Sequence, residues 1–132
     1  MKTSLTITLG YMALLLIVAV LPDVKAMGPR WYVFSLISPR MQNLAHLPAY
    51  GLLSLLWMKT LQFTGMKTWA TWVWALVLTS TYGALTELFQ SLFSSRTSSV
   101  RDWLWDCAGA LIALAAVSCF RHLSPTATSP GS

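Results

Sequence analysis

Long apolar runs separated by short polar connections set the plan of this chain. Nineteen residues from Thr3 to Leu21 pass without a charge and stop at Pro22 and Asp23, matching the roughly 20 residues that a bilayer crossing needs. A second run extends from about Leu44 to Leu61, with Pro48 expected in its first turn, where a missing backbone donor costs little. A third opens at Thr68, stays uncharged to Glu87 and keeps a helical pattern to about Phe93. A fourth, from about Arg101 to Phe120, follows a serine-rich turn in which Ser98 or Ser99 suits an N-cap. The pattern predicts spans over 4–21, 44–61, 68–90 and 102–120 in a single domain, 1–123, followed by a tail, 124–132, that is disordered by composition. Pro22, Gly28, Pro29 and Pro39 mark 22–43 as a loop, with a short interfacial element between Arg30 and Ser38.

The first run has a competing reading. Lys2, an apolar core and the small residues Val24 and Ala26 before Met27 imitate a secretory signal peptide. The uncharged run is longer than the roughly 7–15 residue core of such a peptide, which favours a retained span.

Composition agrees with a membrane protein. Of 132 residues, 55% are hydrophobic and 10% charged, where a soluble domain carries about 25% charged residues. The fold class expected is all-α, an integral membrane bundle of four transmembrane helices. The net charge of +5 is scattered in ones and twos, so no nucleic-acid footprint forms. Trp31, Tyr32, Trp57, Trp69, Trp103 and Trp105 flank the runs as an interfacial aromatic belt would. Lysines and arginines divide four against five between the two faces. Setting aside Arg96 and Arg101 as partners of carboxylates leaves four against three, which places the termini inside.

Three of the four acidic residues, Glu87, Asp102 and Asp106, fall in one stretch with Arg96 and Arg101 between them. Charges at hydrocarbon depth cost about 2.5–3.5 kcal/mol each even on a mild scale, so such groups need partners, water or a task. Gly83, Glu87, Gln90 and Ser94 form one helical stripe, and Asp102, Asp106, Gly109, Ala113 and Ala116 form another, whose small residues allow close helix approach. His46 and Tyr50 share a face of the second span. With spans alternating in direction, His46, Glu87, Gln90, Asp102 and Asp106 all lie at one end of the bundle.

Cys107 and Cys119 sit about 18 Å apart along one helix, too far to bridge. Both read as small buried residues. No cofactor is expected and no metal motif is present, although three carboxylates and His46 make an adequate ligand set for a divalent cation.

These residues resemble the VanZ-like family of small bacterial membrane proteins, named for a component associated with teicoplanin resistance. The likeness covers about half the chain: His46 and Tyr50 open the second span as in that family, Glu87 and Gln90 close the third, and Arg96, Asp102, Asp106 and Gly109 follow. Two departures stand out. Gln42 and Asn43 occupy positions where family members carry Asp-Lys, and Asp106 replaces an asparagine. The resemblance implies a multi-pass protein of the bacterial cytoplasmic membrane with cell-envelope effects on glycopeptide sensitivity, and it brings no established reaction.

Two functions are compatible with this pattern. In the first, the site binds or acts on a lipid-linked envelope component at the outer leaflet. His46 would then be general base, with Glu87, Asp102 or Asp106 as acid or orienting groups, while Tyr50, Gln90, Arg96 and Arg101 hold the headgroup. In the second, the cluster is a structural salt-bridge network in a non-enzymatic scaffold or ligand-binding protein. Ion transport lacks a polar path to the opposite face.

Overall fold

The computed structural model describes residues 1–20, 39–93 and 99–123, with side-chain environments for 1–20, 44–93 and 99–121. All described secondary structure is helical: α1 (Lys2–Val20), α2 (Pro39–Gln62), α3 (Thr68–Phe93) and α4 (Val100–Leu123). The interfacial element expected at 30–38 and the tail at 124–132 lie outside the described residues.

Three boundaries match local chemistry. Ser99 caps α4, its Oγ accepting from the Arg101 N–H at 3.1 Å, as the serine-rich turn predicts. Gly65, at φ 73°, turns the chain between α2 and α3, a conformation open to glycine at little cost. The third is a correction: 39–43 is not loop, because α2 starts at Pro39, whose fixed φ suits a first helical position. Pro48 consequently lies in the helix interior rather than its first turn. There it removes the hydrogen bond that the Leu44 carbonyl would otherwise receive.

The helices alternate in direction. Ser4 and Thr8 of α1 meet Thr60 near the end of α2, Tyr50 of α2 meets Thr86 of α3, and Trp103 of α4 meets Ser80 of α3. The most extensive packing is between α2 and α4, whereas α1 touches α2 and α3 but not α4. Glycines set that α2/α4 crossing. A Cβ at Gly109 would collide with the Leu47 backbone, and one at Gly51 would stand 3.2 Å from the Gly109 carbonyl oxygen and 3.3 Å from Ala113 Cβ. Small residues thus bring two backbones together, which is how helices associate where lipid supplies no hydrophobic drive.

The small-residue face of α4 needs one adjustment. Gly109 and Ala110 are buried and Ala113 half-buried, but Ala116 is exposed. A face spaced by fours and threes drifts by about 20° per heptad against a 3.6-residue helix, and two heptads carry Ala116 off it. Cys119 is likewise exposed and Cys107 half-buried, so the reading of both cysteines as buried is not upheld.

The interior is more polar than the surface. Among the described residues nine polar or charged side chains are buried against seven apolar ones. Large apolar side chains such as Leu14, Ile17, Trp74, Leu88, Ile112 and Phe120 point outward. A protein in water sorts its residues the other way. The two ends also differ. Met58, Ala75 and Leu114, with Leu55, Trp57 and Trp72 around them, make an apolar plug at the end where α2 finishes and α3 begins. The ionisable groups His46, Glu87 and Asp106 gather at the other end.

Candidate functional site

Each of three helices supplies one ionisable group. His46 projects from the N-terminal half of α2, Glu87 from the C-terminal half of α3 and Asp106 from the second turn of α4. His46 Nδ1 lies 2.7 Å from Asp106 Oδ1, an ion pair when the imidazole is protonated. One potential ligand atom from each of His46, Glu87 and Asp106 falls within 4.8 Å of the others. Asp106 is fully buried and Glu87 nearly so.

Neighbouring groups hold these three in place. The His46 and Tyr50 rings stack in parallel, 5.9 Å between centroids, as their four-residue spacing on one helix face allows. Thr86 donates to the Gly83 carbonyl at 2.8 Å, so its oxygen accepts the Tyr50 hydroxyl proton at 2.5 Å. Glu87 Oε2 accepts from the Ser99 N–H at 3.0 Å, linking the end of α3 to the cap of α4. Gly83 keeps α3 open beside Asp106, since a Cβ there would stand 2.8 Å from Oδ2. That Oδ2 is buried and, among the described residues, has no hydrogen-bond partner.

Beside the cluster is a cavity of about 220 Å³. Leu15, Val18 and Ala19 of α1 and Ala45 and Ala49 of α2 give it an apolar wall, while His46, Tyr50 and Gln90 give it a polar end. A crevice with one apolar wall and one polar end suits an amphiphile.

The structure therefore gathers His46, Tyr50, Glu87, Gln90 and Asp106. Asp102, one turn nearer the end of α4, is half-buried, and its enclosed Oδ1 has no hydrogen-bond partner among the described residues. The Arg101 side chain is exposed, so it stands outside the buried cluster. Arg96 and Ser94 lie outside the described residues.

Several contributors carry little sequence signal. Thr86 looks like an ordinary helix threonine, although its place three residues after Gly83 on the stripe marks it as inward-facing. The α1 wall is uniformly apolar, so nothing in it distinguishes Leu15 from a lipid-facing residue. Trp103, expected in the aromatic belt, instead donates its indole N–H to the Ser80 carbonyl at 2.9 Å and laces α4 to α3.

The VanZ/LLP1 family model matches residues 4–121, and the chain belongs to that family. No curated protein and no solved structure matches it. Among the described residues two helices, α1 and the stretch Val100–Arg121 of α4, are long and apolar enough to cross a membrane. Family and helices together point to a membrane protein.

Proposed function

We propose that this protein is a four-span protein of the bacterial cytoplasmic membrane that binds the headgroup of a lipid-linked envelope component in the His46–Glu87–Asp106 site, with the lipid chain in the adjoining cavity. The carrying observation is the cavity itself, which runs from an apolar wall on α1 and α2 to the polar end at His46, Tyr50 and Gln90. A headgroup alone would need no such wall.

The inverted interior supports four crossings. At 1.5 Å per residue, α2 and α3 reach about 36 and 39 Å, enough for a hydrocarbon core of about 30 Å. Their polar residues lower their mean hydropathy, but Ser54, Thr60, Thr71, Thr79, Glu87 and Gln90 are all buried inside the bundle. Lipid would meet Leu52, Val73, Trp74, Val77 and Leu88 instead.

An effect on teicoplanin sensitivity follows if the bound lipid is an envelope precursor. Cells expressing the wild-type chain, Glu87→Gln or His46→Ala at equal protein levels test this through their lipid-precursor profiles and glycopeptide susceptibility. The wild type should shift both and the variants should not. Identical profiles in all three strains, equal to cells without the protein, would overturn the proposal.

The scaffold alternative draws on the His46–Asp106 pair, which does join α2 to α4. It does not account for a cavity with an apolar wall and a polar end at His46, Tyr50 and Gln90.

A further inference from the structure

We infer that His46, Glu87 and Asp106 form a binding site for one divalent transition-metal cation of the zinc or manganese class, and that this ion recruits the phosphate of the lipid headgroup. The second half of the inference rests on the lipid reading above. The first half stands without it.

The donor set comes first. Three helices converge to place one nitrogen or oxygen from each residue within 4.8 Å of the others. Ligands sharing a cation at 2.0–2.2 Å stand about 3–4 Å apart, so the three groups need only a small side-chain contraction to close on an ion. An imidazole beside two carboxylates favours a borderline cation over magnesium or calcium, which prefer oxygen alone. Three protein ligands leave a coordination position for an exogenous oxygen.

A second observation points to an occupant. Asp106 is fully buried, yet its Oδ2 has no hydrogen-bond partner among the described residues. A buried carboxylate oxygen left so is costly, and most such atoms in folded proteins find a donor or an ion. Gly83 keeps side-chain atoms away from that oxygen.

A dication held between His46 and the two carboxylates would present positive charge to an incoming phosphate oxygen.

The test uses the full chain, purified in nanodiscs and stripped of metal, with zinc alone titrated by calorimetry and cobalt alone followed by visible absorption. One zinc per chain, with a cobalt d–d spectrum, is the expected result. Asp106→Asn and Glu87→Gln should each weaken binding at least about tenfold while remaining monodisperse and helical. Absence of saturable one-to-one binding, or wild-type affinity in both variants, overturns the site. A polyprenyl phosphate is then added with and without zinc. Retention only with the ion supports both halves. Equal retention by the stripped protein overturns the recruiting role but leaves the lipid reading standing. One-to-one zinc with no lipid retention keeps the metal site and removes the lipid reading.

Discussion

His46 and Asp106 are sixty residues apart in sequence, and their side chains meet at 2.7 Å across the α2/α4 crossing that Gly51 and Gly109 bring close. The pair joins the site to the packing. Replacing Asp106 with Ala leaves a half-buried imidazole without its partner and should cost about 1–3 kcal/mol of stability. Asp106→Asn keeps an acceptor for the imidazole N–H and should lose less. Thermal unfolding in detergent measures both, and an Ala variant as stable as the wild type would show that the pair contributes nothing to the fold.

Gly109 and Gly10 make a matched comparison. A Cβ on Gly109 would stand 2.9 Å from the Leu47 Cα, whereas one on Gly10 meets nothing within 4 Å. Gly109→Ala should destabilise the bundle by about 1–3 kcal/mol through overpacking. Gly10→Ala should be neutral or gain about 0.5–1 kcal/mol from helix propensity. Folded yield by fluorescence-detected size exclusion separates the two, and equal yields would contradict the close crossing.

A hydroxyl chain docks α1. Ser4 and Thr8 each lie 2.9 Å from Thr60 Oγ1, with Thr8 also donating to the Ser4 carbonyl at 3.0 Å. Tyr11 reaches the Ala49 carbonyl, and Tyr82 reaches the Met12 carbonyl. Thr8→Val and Thr60→Val should each cost about 0.6 kcal/mol, the usual scale for such bonds in membranes. Because the two share one bond, their effects should not add. A double-mutant cycle showing full additivity would rule out the chain.

The sequence and the structure agree on His46 and the buried acids, and part company at the exposed Arg101 and at the uncharged groups. Glu87, Asp102 and Asp106 are legible because a carboxylate in an apolar run has few tolerable positions, and alternating spans then predict a shared end with His46. Hydroxyls are ambiguous: Thr8 and Thr71 bond the carbonyls four residues before them, so a threonine can satisfy itself locally whichever way it faces. That is why Thr60 carries no signal of its own in the sequence and Thr86 only its place beside Gly83 and Glu87. The α1 wall is hidden for a simpler reason, since Leu15 and Val18 differ from lipid-facing residues only by what stands opposite them. The interior position of Pro48 depends on how far α2 extends before it, which a loop-like stretch with four prolines and glycines conceals.

Filling the cavity should separate binding from folding. Val18 lines it and is half exposed, so Val18→Trp can occupy the space without entering the packed interior. Thermal stability should stay within about 0.5 kcal/mol of the wild type, as for surface substitutions. Co-purifying lipid phosphate, measured by mass spectrometry, should fall several-fold. Undiminished lipid would place the binding surface elsewhere.

The most direct measurement is an experimental structure of the protein extracted with its native lipids. The account predicts continuous density for an acyl or isoprenoid chain between Leu15, Val18 and Ala49, ending in a headgroup beside His46 and Gln90. Lipid confined to the outer apolar faces, with the cavity closed by its own walls, would contradict it.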